Sequence, residues 1–242
     1  MAYQAVFKRY EIKYLLSLAQ KERILEAMAP YMALDKYGRT VIRNVYLDTP
    51  DYRLIRRSLE KPVYKEKLRL RSYRQAGPES PIFVELKKKY KGVVYKRRLS
   101  LAEGEAVQWV TGQQQRTDSQ IAREIQWFLG YYRDLRPAVF LSYEREAYYC
   151  RDGGDLRITF DDRILARTDR LSLEEAPGGK SLLEPGTVLM EVKTAGGLPL
   201  WLTAALTRER IFKTSFSKYG KAYTDMVKGD KTNVGCDFSG HI

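Results

Sequence analysis

The sequence predicts an α+β fold organised as an antiparallel β-barrel with a central charged tunnel and helices packed outside. Three observations predict it. Eight runs of residues alternate with a period of two; the helical patterns between them do not follow each strand as in a βαβ series; and most runs have one apolar face and one densely charged face.

The alternating runs cover 7–14, 41–48, 65–73, 82–87, 93–101, 139–148, 156–161 and 188–193, and read as strands. Apolar residues at helical spacing predict helices over 16–28, 118–131, 200–211 and 218–227. Asp48-Thr49-Pro50-Asp51, Ala76-Gly77-Pro78 and Asp152-Gly153-Gly154 are turn signals, the last joining two long runs as a hairpin. The Glu-, Pro- and Gly-rich stretch 174–186 reads as a surface loop. Residues 1–228 are expected to form one domain, and 229–242 a poorly ordered tail.

The 242 residues, 44% hydrophobic, can bury a proper core. No run approaches the roughly 20 apolar residues that span a bilayer, and 1–20 carries charges throughout, so a cytoplasmic chain is expected. Cys150 and Cys236 form no CxxC pair, which suits a reducing compartment. The sole histidine, His241, sits in the polar tail, which excludes His-dependent nucleophilic catalysis and His-rich metal sites. Lysine and arginine exceed aspartate and glutamate by 43 to 30, a net charge of +13 that calls for an anionic partner.

Side chains along a strand point alternately to its two faces. One set reads Leu68, Leu70; Ile82, Val84, Leu86; Leu156, Ile158, Phe160; Val188, Met190, Val192. The opposite set holds eleven basic residues (Arg9, Lys13, Lys67, Arg69, Arg71, Lys87, Lys96, Arg98, Arg145, Arg157, Lys193) and four acidic ones (Glu11, Glu85, Asp161, Glu191), with Tyr143 among them. A wet sheet face gains by mixing signs, because like charges on neighbouring strands repel. A nearly three-to-one excess needs an anion, and a sheet curled with these faces inward would bring the cations onto a phosphate chain from several sides. The arginines could fork onto phosphate oxygens while the lysines act as point charges. Basic residues on internal strand faces, rather than on an exposed helix, argue against nucleic acid. The carboxylates are oxygen ligands suited to Mn²⁺ or Mg²⁺; Glu191 is the first candidate, with Glu11 and Asp161 next, and for each an ion pair to a neighbouring cation is the alternative. Gly179-Lys180-Ser181 imitates the end of a P-loop, but Glu174 occupies the required glycine position.

Nine ordered segments carry a resemblance: Phe7 to Tyr14, Tyr46-Leu47-Asp48-Thr49, Leu68-Arg69-Leu70-Arg71, Phe83-Val84-Glu85-Leu86-Lys87, Tyr95-Lys96-Arg97-Arg98, Tyr143-Glu144-Arg145, Arg157 to Asp161, Glu191-Val192-Lys193 and Phe216-Ser217-Lys218-Tyr219. Over about residues 5–227 the chain resembles the VTC domain, the polyphosphate polymerase domain of the vacuolar transporter chaperone complex, in the triphosphate tunnel metalloenzyme superfamily. The resemblance implies a barrel in which ATP donates its γ-phosphate to a growing polyphosphate chain with a divalent metal, typically Mn²⁺. It implies that Lys13, Arg69, Arg71, Lys87, Lys96, Arg145 and Arg157 act on the phosphates, that Tyr143, Ser217 and Lys218 contact the substrate, and that Glu191 holds the metal. The charged faces add Glu11 and Lys193 as substrate contacts and Asp161 as a second metal ligand, and the last helix adds Lys221 as a substrate contact. Ser217 also reads as an ordinary helix N-cap, compatible with that role. Ser215 stands where fungal members carry a lysine, with Lys213 or Lys221 as the candidate to compensate. The same tunnel with water as acceptor would be a triphosphatase, and without turnover a polyanion-binding module; a membrane-protein partner is not readable from these residues.

Overall fold

The computed structural model describes residues 10–91 and 93–228. The expected strand start at 7–9 with Arg9, and the tail 229–242 with Cys236 and His241, lie outside them. In chain order the elements are β1 (Tyr10–Ser17), α1 (Leu18–Met28), β2 (Met32–Leu34), β3 (Thr40–Asp48), α2 (Arg53–Leu59), β4 (Tyr64–Ser72), β5 (Pro81–Tyr90), β6 (Val93–Ala102), α3 (Glu103–Val110), α4 (Gln120–Tyr132), β7 (Arg136–Cys150), β8 (Arg157–Arg167), β9 (Lys180–Ser181), β10 (Thr187–Thr194), α5 (Leu200–Arg208), β11 (Lys213–Thr214) and α6 (Lys218–Ala222), which runs on into a π-helical turn, Tyr223–Lys228.

All eight expected strands are present. Leu16 stays in β1, opposite Val188, instead of starting the helix. The change comes one residue later, where Ser17 accepts from the Gln20 backbone N–H and the Gln20 side chain accepts from that of Ser17, a capping box. Three short strands (β2, β9, β11) and two short helices (α2, α3) were not expected. β9 lies inside the stretch read as loop and pairs with β8, Ala166 opposite Lys180. This explains the glycine of the false P-loop: Gly179 has φ of +118°, and a Cβ there would lie 2.1 Å from the Ala166 carbonyl oxygen.

The strands form one antiparallel sheet in the order β11-β1-β10-β8-β7-β3-β4-β5-β6, with β2 on β7 and β9 on β8. Among the described residues its hydrogen-bonded ladder does not close. The sheet nevertheless curls until Glu11 on β1 and Lys87 on β5, six places apart in that order, meet at 3.4 Å.

The outer face carries the apolar residues and is covered by helices. Leu68, Leu70, Val84 and Leu86 pack with Trp109 of α3 and Ile125 and Phe128 of α4. Ile158, Phe160, Met190 and Val192 pack with Ile24 and Met28 of α1 and Leu202 and Ala205 of α5. Burying one such side chain contributes about 1.5–3 kcal/mol, so these two clusters fix which face of the sheet points outward. The last helix departs from the expected arrangement. α6 packs on the concave side, where Tyr219 and Ala222 meet Ile42, Tyr46, Val139 and Leu189. It is tethered by Asp48, fully buried, which accepts from the Tyr219 hydroxyl at 2.8 Å and from the backbone N–H groups of Leu54 and Ile55 that open α2. Among the described residues no helix is long and apolar enough to cross a membrane.

Candidate functional site

The concave face encloses a cavity of about 670 Å³ lined by ten basic side chains, two acidic ones, three tyrosines besides Tyr10, and Ser217. Alternation along β4 turns Lys67, Arg69 and Arg71 inward; β5 supplies Lys87, and β6 supplies Lys96 and Arg98. From the other side come Glu11 and Lys13 of β1, Tyr143 and Arg145 of β7, and Glu191 and Lys193 of β10. Ser217 and Lys218 enter with α6. Twelve of the fifteen expected site residues therefore share one cavity.

Three stand elsewhere. Arg157 lies opposite Lys193 but beyond the lining, its guanidinium 4.7 Å from the Tyr149 ring centre. Asp161 faces inward yet is fully buried, because Arg145 binds both its oxygens (2.5 Å and 2.7 Å) and Lys218 covers it at 2.5 Å. Lys221 is exposed and pairs with Asp225 one turn on, at 2.8 Å. Lys213, on β11, does not line the cavity either; the lysine that reaches the Ser217 hydroxyl is Lys67, at 3.4 Å.

Two buried carboxylates hold the cations in place from behind. Glu85 is 1% exposed and binds Arg69 through Nε (2.9 Å) and Nη2 (2.7 Å), Lys96 at 2.8 Å and Arg98 Nε at 2.7 Å. Burial opposes its charge, but Arg69, Arg71 and Lys96 outweigh it and hold the carboxyl well below the usual range. Asp161 does the same for Arg145 and Lys218, and its pKa is likewise lowered against burial. Neutral groups complete the frame: Arg71 donates to Asn44 Oδ1 at 2.9 Å and to the Tyr143 hydroxyl at 3.2 Å, and Arg69 to the Tyr46 hydroxyl at 2.8 Å. Tyr46 stacks on Tyr219, ring centres 4.6 Å apart. Both Tyr46 and Tyr143, despite full burial, have lowered pKa values because of these arginines.

Glu11 and Glu191 are the two carboxylates that line the cavity. The Lys13 ammonium lies between them, 3.2 Å from Glu11 and 3.9 Å from Glu191, and Lys193 is 2.6 Å from Glu191. Burial and Glu191 push the Glu11 carboxyl up, yet Lys87, Lys13 and Lys193 bring it down to about 2. Lys193 and Lys13 likewise hold Glu191 well below its ordinary value against burial. Both are ionised at neutral pH. No group of three or more metal-type side chains occurs among the described residues. Two carboxylates on the wall of a basic cavity fit Mg²⁺ or Mn²⁺, which take one or two carboxylates and complete their shell with phosphate oxygens and water.

Residues 8–227 match the VTC domain. The chain belongs to the VTC domain family. Among solved structures this VTC domain is similar to a candidate adenylate cyclase of Bacillus halodurans, at 15% identity over 88% of this chain and 94% of that one, with a TM-score of 0.53. It is also similar to HpAC1 of Hippeastrum, a candidate adenylyl cyclase with a dominant triphosphatase activity, at 17% identity over 88% and 94% of the two chains, with a TM-score of 0.49. No curated protein matches it in sequence. The fold is the triphosphate tunnel fold.

Sequence reasoning assigned no role to Glu85, Lys67, Tyr46, Asn44 or Arg98. Glu85, Lys67 and Arg98 stood on the charged faces and were visible there. Asn44 and Tyr46 are the neutral inward residues of β3, a strand buried on both faces, so a search for charge passes over them.

Proposed function

We propose that this VTC domain is a metal-dependent phosphotransferase that moves the γ-phosphate of ATP onto a polyphosphate chain. The observation that carries the reading is the cavity itself: ten basic side chains and two ionised carboxylates converge on one space, in a member of the VTC family. A single sheet and the helix α6 packed inside its curl supply them all.

Phosphoryl transfer depends on charge neutralisation and in-line positioning more than on covalent chemistry. Arg69 and Arg71, on alternate positions of β4, present their guanidinium groups to phosphate oxygens from one wall. Arg145 and Lys218 approach from the other. The buried Glu85 holds Arg69, Asn44 and Tyr143 hold Arg71, and Asp161 holds Arg145 and Lys218 before substrate arrives, so little reorganisation is needed. Lys13, Lys87 and Lys193 lie against Glu11 and Glu191 on the cavity wall, where incoming phosphates would meet their ammonium groups. Glu11 and Glu191 would hold the divalent cation, and that cation, when bound, neutralises and orients phosphate oxygens. No protein nucleophile is required: the acceptor is a phosphate terminus.

Incubation of the purified protein with ATP and Mn²⁺, with products resolved by length, tests this. Long-chain polyphosphate is expected. Phosphate alone would assign water as the acceptor and make the protein a triphosphatase; binding without metal-dependent turnover would make it a polyphosphate-binding module.

A further inference from the structure

Lys67, Lys87 and Lys96 stand in register on three neighbouring strands, forming a row of three amines across one wall of the cavity. Like charges directly opposite one another across strands repel, so each needs compensation. Lys87 has Glu11 at 3.4 Å and Lys96 has Glu85 at 2.8 Å. Lys67 has no carboxylate within ion-pair distance among the described residues. Its contacts are the Ser217 hydroxyl at 3.4 Å and, at 5.8 Å, the face of the Tyr219 ring. The charged groups that bear most strongly on it are cations: Lys87 on β5, Lys65 and Arg69 on its own strand, and Lys13 on β1.

The Ser217 hydroxyl accepts twice, from Lys67 and from the Gly220 backbone N–H at 3.2 Å. A hydroxyl has two acceptor sites and one donor, so its proton is left to donate into the cavity. Lys67 likewise keeps N–H groups beyond the one spent on Ser217. Serine and lysine together thus present donors, and no acid, at a place where an anion would relieve the crowding of the amine row.

We propose that Lys67 is the proton-linked phosphate contact of this cavity: together with the Ser217 hydroxyl it receives phosphate oxygens, and its amine takes up a proton from the buffer as they arrive. The inference rests on the reading that the cavity takes a phosphate chain. In the empty cavity, burial, reinforced by Lys87, Lys65 and Lys13, brings the Lys67 pKa down to about 7. A phosphate dianion beside it reverses that balance and favours the ammonium. The linkage has a definite sign. Below about pH 7 Lys67 already carries its proton and binding takes up none; above it, binding takes up as much as one, and affinity falls as pH rises. Lys96, which burial brings down to about 8 despite Glu85, contributes in the same direction, and the phosphate's own protons in the opposite one, so a comparison at Lys67 is needed to isolate it.

The experiment is calorimetry of inorganic tripolyphosphate binding without metal at about pH 8, in buffers of different ionisation enthalpy, for the wild type and Lys67→Arg. Arginine keeps the charge but does not titrate. The variant is expected to take up about one proton less per tripolyphosphate, and its affinity to fall less steeply than that of the wild type as pH rises from about 7 to 9. Equal proton counts would overturn the proposal. As a reading free of variants, lysine side-chain NMR of the wild-type protein should show one amine titrating near neutral pH, and its midpoint should move upward with tripolyphosphate; no such amine would also overturn it. If wild-type protein binds no tripolyphosphate at all, the failure lies with the phosphate-chain reading, while the NMR titration of the free protein still judges Lys67.

Discussion

Arg69 and Glu85 face each other across β4 and β5, and the arginine grips a single carboxylate oxygen through two nitrogens, at 2.9 Å and 2.7 Å. The other oxygen of Glu85 receives Lys96 and Arg98. One buried anion thus fixes three of the cations that line the cavity. Glu85→Gln removes the only negative charge behind this cluster among the described residues. Breaking a buried pair from one side costs about 3–5 kcal/mol. Thermal unfolding should show that loss, and tripolyphosphate should raise the Tm of the variant more than that of the wild type, because the ligand restores the missing charge. Equal ligand shifts would contradict this.

Arg71 is almost fully buried but is tied mainly by neutral partners, Asn44 and Tyr143. Arg71→Ala should lower turnover of ATP with Mn²⁺ by about 100-fold or more. Its unfolding free energy should fall by only about 1–3 kcal/mol, the cost of leaving those partners unpaired. Assays and denaturant titrations on the same preparation separate the two effects. Unchanged activity would remove Arg71 from the site.

Acid should destabilise the fold through the same frame. The folded-state pKa values of Asp161, Glu85, Glu191 and Glu11 all lie below their ordinary values, Glu11 at about 2. A depressed carboxyl contributes stability that is complete above its unfolded pKa, near 4, and is lost as pH falls towards the folded value. Urea unfolding should therefore show falling stability from about pH 5 downward. Asp161→Asn should be less stable at neutral pH and show a shallower acid slope.

Gly179 and Gly38 both have positive φ, +118° and +58°, but differ in surroundings. A Cβ at 179 meets the Ala166 carbonyl oxygen at 2.1 Å, whereas at 38 nothing lies within 4 Å. Gly179→Ala should cost roughly 2–4 kcal/mol and Gly38→Ala about 1 kcal/mol, read as the difference in unfolding free energy.

Period-two patterning made the eight long strands and the inward faces legible, because one face had to be buried by helices and the other was charged. Short elements escaped: β9 and β11 have two residues each, too few to show a period, and α2 is set by Asp48 hydrogen bonds rather than by apolar spacing. Pattern places a side chain on a face but not along the length of the cavity, which is why Arg157 proved to lie against Tyr149 outside the lining. Nor does it reveal which inward charge is exposed. Asp161 and Glu191 share a face type, yet Arg145 and Lys218 bury the first, while the second lines the cavity. The position of α6 inside the curl depended on the Asp48–Tyr219 contact, 171 residues apart in sequence.

The most direct test of a phosphate-chain cavity is a crystal structure of the protein with tripolyphosphate and Mn²⁺. The chain should lie inside the curled sheet with its oxygens about 2.7–3.2 Å from Arg69, Arg71 and Lys13, and the cation on Glu191. Tripolyphosphate bound only to the outer surface, with the cavity empty of it, would contradict the account.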